Sequence, residues 1–131
     1  MNYIYPMSRV LMALIFLLAG LSKITNFDGT AAYMSAMGLP SFLLIPTIIF
    51  EVGGALAIML GLKTRLVSLA FAGFCIISAL VFHNNLGDQT QFVMFMKNIA
   101  MAGGFLMIFA HGSTCFSIDA RMLASDKERI R

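Results

Sequence analysis

Six side chains stand out because their chemistry is costly where the sequence puts them. Lys23, Glu51, His83, Gln91, Lys97 and Asn98 lie within or at the ends of long apolar runs. Together they supply a carboxylate and an imidazole able to exchange protons, two ammonium groups, and two amides that both donate and accept hydrogen bonds. Such a set suits the polar head of an amphiphilic small molecule, or the handling of a proton. A charge near the centre of a bilayer costs roughly 2.5–3.5 kcal/mol on insertion scales, so each of these residues needs a reason to be there.

A plainer reading exists for each. Glu51 and Lys97 could form a buried ion pair that only fixes the register of their helices. Lys23 and His83, taken singly, are expected to carry their polar tips to the membrane interface. For Glu51 and Lys97, the structural pair and the ligand or proton role both stay open at this point.

Other chemistry finds little support. His83 and His111 fall at opposite membrane faces and cannot share a metal, so no metal site is expected. The eleven methionines are scattered without a Met-x-x-Met repeat and read as adaptable packing residues rather than a copper site. There is no phosphate loop, nucleophile triad or zinc motif, and Ser22 and Ser78 have no evident base. Cys75 sits mid-helix and Cys115 beyond a helix end, so a disulfide between them is not expected.

The elements that must position the six residues follow from composition. Of 131 residues, 60% are apolar and only 11% charged, whereas a soluble domain covers its surface with about a quarter charged residues. The chain is therefore expected to be an all-α membrane protein, a single four-helix bundle over residues 1–131 with a short interfacial segment between its first two spans. The spans are expected at Met7–Thr25, Ser41–Leu62, Leu66–Leu86 and Phe92–Ala110, each near the 20 or so residues that cross a bilayer. Residues 111–131 form a tail. Pro6 and Pro40 stand just before helices, and Pro46 is expected to bend the second span from inside. Arg9 before an apolar run imitates a signal peptide. Leu18-Ala19-Gly20 is followed by Leu21 where a lipobox needs cysteine, so the segment is expected to stay as a helix.

Basic residues set the expected orientation. Arg9, Lys63, Arg65, Arg121, Lys127, Arg129 and Arg131 fall at one face, while the other two loops carry Asp28 and Asp88. Both termini are therefore expected in the cytoplasm. Net charge is +3 with no basic stripe, which argues against nucleic acid as a partner. With this orientation all six candidates converge in the outer half of the bundle. Between the first spans, residues 26–40 could rest on the lipid headgroups as a connector, the preferred reading, or cover that outer mouth as a lid. Phe27, Ala31, Met34 and Ala36-Met37 are expected on its apolar side. Gly53-Gly54 and Gly103-Gly104 read as packing devices.

At these residues the sequence resembles the DoxX family of small bacterial membrane proteins, and within it the short inner-membrane, YphA-like branch. The resemblance runs through Arg9, Ile15-Phe16-Leu17-Leu18-Ala19-Gly20-Leu21-Ser22-Lys23, Phe27-Asp28-Gly29-Thr30, Tyr33-Met34 and Met37-Gly38-Leu39-Pro40. It continues with Glu51, Gly61, Thr64-Arg65, His83, Lys97-Asn98-Ile99-Ala100-Met101-Ala102-Gly103-Gly104 and Ser117-Ile118-Asp119. It implies a four-helix bundle in the bacterial inner membrane, associated with redox systems, because the family takes its name from a terminal quinol oxidase and thiosulfate:quinone oxidoreductase system. Direct thiosulfate oxidation is not expected, since this chain adds no soluble domain and its cysteines are poorly placed.

Three functions remain in view: a membrane subunit of a redox system binding a quinone-like amphiphile, a small-molecule transporter or binding module acting as a homo-oligomer, and a non-catalytic assembly partner. A quinone is the cofactor, and a redox protein the partner, that the redox association suggests.

Overall fold

A computed structural model describes residues 3–112 and 117–130. Cys115, the expected pairing question it raises, and Arg131 lie outside the described residues. The helices are α1 (Ile4–Thr25), α2 (Phe27–Ala36), α3 (Leu44–Leu60), α4 (Thr64–Phe82), α5 (Gln89–His111) and α6 (Ile118–Ile130), with a 3-10 turn at Ser41–Leu43 leading into α3. Four stretches are long and apolar enough to span a bilayer: Ile4–Thr25, Ser41–Leu60, Thr64–Phe82 and Gln89–His111. At 1.5 Å per residue each is about 28–35 Å long, close to the hydrocarbon thickness. Their outward residues, among them Leu11, Ile49, Leu66, Ile77 and Met107, are exposed and apolar, as contact with lipid tails requires. The protein is an all-α membrane bundle.

Several details differ from expectation. The third span ends at Phe82, not Leu86, and His83 is the residue that leaves the helix. Pro46 is the third residue of α3, in its first turn. Lacking an amide proton, it cannot bond the carbonyl four residues back, at Phe42, which belongs to the 3-10 turn before the α-helix begins. Within the tail, α6 occupies Ile118–Ile130.

The four spans run alternately up and down and pack as two pairs, α1 on α3 and α4 on α5. The pairs meet around Phe16, Phe71 and Phe105, whose ring centroids are 4.6–5.6 Å apart. Ala13, Ala55, Ile58, Cys75 and Ala102 complete this core. Gly54 lets the Phe71 ring lie against the α3 backbone, and Gly104 does the same for Met12. Gly53 and Gly103 have no such neighbour. One glycine of each expected packing pair therefore serves that purpose.

At the end where α1 begins and α5 finishes, the chain is closed by a polar clasp. α3 terminates on Gly61 at φ 74°, with Leu62 N donating to Ala57 O and Gly61 N to Ile58 O. This left-handed ending satisfies the last carbonyls of the helix. Asp119, from the start of α6, accepts hydrogen bonds from Lys63 N and Thr64 N, both at 2.8 Å, and so caps α4 from 55 residues away. Asp119 N donates in return to Gly61 O, and buried Arg9 and Ser117 press against Gly61. Burial alone would raise the Asp119 carboxyl, but the two backbone amides and the Arg9 charge outweigh it and hold the group below its ordinary value.

Candidate functional site

The opposite end is built differently. Here α1 finishes, α3 starts, α4 finishes and α5 starts, and between them lies a cavity of about 500 Å³. Ligand pockets commonly measure about 300–1,000 Å³. Lys23, Glu51, His83, Lys97 and Asn98 all line it. Gln91 does not, yet its Oε1 lies 2.9 Å from His83 Nδ1. The structure thus brings five of the six sequence candidates to one cavity and fixes the sixth to one of them.

Helix direction explains how the charges meet. Side chains lean toward the N-terminus of their helix. On α1 that direction is into the bundle, so Lys23 leans inward. On α3 it is toward the cavity end, so Glu51, the eighth residue of α3, leans outward to meet it. Lys23 Nζ donates to both carboxylate oxygens of Glu51, at 2.9 and 2.8 Å. Gly20 makes this possible: a Cβ there would come within 2.6 Å of a Val52 methyl, so only glycine lets α3 approach so closely at that turn.

This pair corrects two expectations. Glu51 is not paired with Lys97, because Lys97 belongs to the other helix pair and leans toward the cavity end just as Glu51 does. Lys23 does not carry its charge to the interface; its side chain is only 26% exposed and is committed to Glu51. His83 likewise turns to Gln91, just inside α5, whose first turn is capped by the Asp88 carboxylate accepting from Thr90 N and Gln91 N. With Gln91 Oε1 as acceptor, His83 Nδ1 is the donor of this bond, and Nε2 is left for another partner. His111, at the clasp end, is instead stacked obliquely on Tyr5.

The rest of the lining is apolar and aromatic, with Phe16, Phe74 and Phe82 among its walls. Four hydroxyl-bearing residues that the sequence did not single out for this role also face it: Thr30, Tyr33, Thr47 and Ser78. The Thr47 hydroxyl is already donated to Leu43 O. Thr30, Tyr33 and Met34 come from α2 and share one face of it, at the i, i+3, i+4 spacing that was the available signal. Tyr33 stacks on Phe82 at 5.6 Å. Of the apolar side expected for this segment only Met34 is buried; Phe27 is 39% exposed and Met37 36%. The segment between the first two spans is thus a wall of the cavity as well as a connector. Gly38, at φ 82°, ends α2 and returns the chain toward α3.

Chemically, the arrangement offers an apolar slot with a charge-paired carboxylate, a second ammonium group, an amide and an oriented imidazole at one end.

Comparison with known proteins places this fold. The DoxX family model matches residues 6–84. The chain is 45% identical to "Inner membrane protein YqjF" of Escherichia coli K12 over 112 residues, 86% of each chain. It is 33% identical to "Inner membrane protein YphA" of the same organism, over 87% of this chain and 86% of that one. A shorter match, 38% over 64 residues and about half of each chain (49% and 48%), is to "Putative oxidoreductase CatD" of Bacillus subtilis 168. No solved structure matches the chain significantly. On the family match and the two full-length relatives, this chain belongs to the DoxX family.

Proposed function

We propose that this protein is an inner-membrane subunit of a redox system, and that it holds a quinone-like or other amphiphilic small molecule in the cavity between its four spans. The observation that carries the proposal is the gathering of Lys23, Glu51, His83, Lys97 and Asn98 around one apolar, ring-lined cavity of about 500 Å³. An amphiphile of this kind needs a flat apolar slot for its ring or chain and a few donors and acceptors for its head. Phe16, Phe74 and Phe82 supply the first. Asn98, Lys97 and the His83–Gln91 pair supply the second. Glu51 and His83 are groups able to exchange protons with a bound head, and electrons would come from a redox protein docked alongside. The names of the relatives agree in kind: two are inner membrane proteins and one, matched over half its length, is called an oxidoreductase.

The basic residues give the proposed orientation. Arg9, Lys63, Arg65, Arg121, Lys127 and Arg129 cluster at the clasp end, so that end faces the cytoplasm and the cavity faces outward. The test is organic extraction of protein purified in lipid nanodiscs, followed by measurement of the quinone-to-protein ratio. The proposal expects quinone or another amphiphile near one per chain, falling several-fold in Glu51→Gln and Lys97→Met. Unchanged occupancy in both variants would refute it.

A further inference from the structure

The formal charges around the cavity do not balance, and the imbalance identifies the class of ligand. We infer that the molecule held there has a negatively charged head, and that Lys97 is its counter-ion. The inference rests on the reading of the cavity as an amphiphile site and adds the charge of the occupant to it.

Among the described lining residues Glu51 is the only carboxylate, against two lysines. Both of its oxygens are taken by Lys23 Nζ, and its side chain is only 3% exposed, so it has nothing left to offer Lys97. The pair is neutral as a unit. Lys97, itself exposed, is then a second cation on the same cavity wall, with no further acid among the described lining residues. It is the ninth residue of α5, about 12 Å along the helix from its start. At that depth an ammonium group needs either a counter-charge or a route to water. A carboxylate, phenolate or phosphate lodged in the cavity supplies the counter-charge, and a charge-assisted bond to lysine is about twice as strong as a neutral one. Asn98, the next residue, can donate to the same anion, while Met94 and Met101, one turn to either side, form an adaptable apolar surface for the chain behind the head. A neutral head can accept a hydrogen bond from this lysine but leaves its charge unbalanced.

The anion has two possible sources, a free amphiphilic acid or an anionic phospholipid of the bilayer, and matched probes separate them. Full-length protein in phosphatidylcholine nanodiscs at pH 8 would be titrated with dodecanoate and with dodecanol, equal in chain length and different in head charge. Binding would be read by native mass spectrometry. The expected result is at least tenfold preference for dodecanoate in the wild type, lost in Lys97→Met, kept in Lys97→Arg, with dodecanol retention equal in all three. Competition of dodecanoate by phosphatidylglycerol at equal mole fraction would support the same anion chemistry with a lipid head as its source. Equal binding of the two probes by the wild type, or a preference that survives in Lys97→Met, overturns the charge assignment and leaves the cavity as an amphiphile site. Binding of neither probe by the wild type, with no amphiphile co-purified, overturns both.

Discussion

The two ends of this bundle use polar residues in opposite ways. At the clasp end Asp119, Lys63, Thr64, Gly61 and Ser117 exchange hydrogen bonds within the chain, beside a smaller cavity of about 250 Å³ between the start of α1 and the end of α5: Asp119 caps α4, its own amide returns to Gly61, and Ser117 Oγ accepts from Ala120 N. At the cavity end Lys97, Asn98, Thr30 and Ser78 stand around about 500 Å³ of space. Among the described residues Lys23–Glu51 and His83–Gln91 are the side-chain pairs tied to each other there, and the Thr30 and Thr47 hydroxyls donate to the backbone of their own segments. Buried polar groups that satisfy one another specify a fold. Polar groups arranged around a space large enough for a ligand point to recognition. A variant should therefore damage stability at one end and occupancy at the other.

The largest effect is expected where the two roles overlap. Glu51→Ala strands Lys23, and breaking a buried pair typically costs about 3–5 kcal/mol. Because Lys23 is 26% exposed and can swing away, roughly 3 kcal/mol is expected in detergent unfolding monitored by circular dichroism. The double variant Lys23→Met with Glu51→Leu removes both charges and should recover most of that loss while the ligand stays lost. Recovery of the ligand along with stability would mean that the pair is only structural.

Gly61→Ala comes next. Its φ of 74° is strained for any residue with a Cβ, and the added methyl would strike Ser117 and the Arg9 guanidinium. Left-handed backbone costs about 1–2 kcal/mol, and forced overpacking adds about 1 kcal/mol or more. Thermal unfolding should show a loss of roughly 2–3 kcal/mol with amphiphile occupancy per folded chain unchanged. A fall in occupancy at equal folded fraction would break the division between the two ends.

The smallest effect is expected for Asp119→Asn, about 1 kcal/mol for a weakened helix cap. This variant also carries a pH signature. Because the native carboxyl lies below its unfolded value, its stabilising contribution is complete above pH about 4 and is lost as pH falls through the native value. Asp119→Asn should flatten that acid limb and leave stability near neutrality only slightly reduced. An unchanged acid limb would show that the cap does not titrate with folding.

The sequence is most legible where a residue is out of place. Lys23, Glu51, His83, Lys97 and Asn98 announce themselves as polar groups in apolar runs, and alternation of span direction is enough to put them at one end. Which residues touch is another matter. Glu51 meets Lys23 rather than Lys97 because α1 packs on α3 while α4 packs on α5, and because Gly20 admits Val52. Neither the helix pairing nor that approach is encoded in hydropathy. The cap that Asp119 places on α4 joins residues 55 positions apart, so no local pattern could reveal it. Pro46 shows the reverse: its type is informative, but which hydrogen bond it forgoes depends on where the 3-10 turn hands over to α3.

The central claim, that the cavity between the spans holds a ligand, is tested most directly by native mass spectrometry of protein released from nanodiscs made with the native lipids. Wild type, the clasp variant Asp119→Asn, and Ser78→Phe, which fills the cavity from its α4 wall, would be compared at equal folded fraction. The account predicts an additional small-molecule mass on wild type and Asp119→Asn that is absent from Ser78→Phe. The same mass retained by Ser78→Phe, or no retained mass on the wild type, would contradict it.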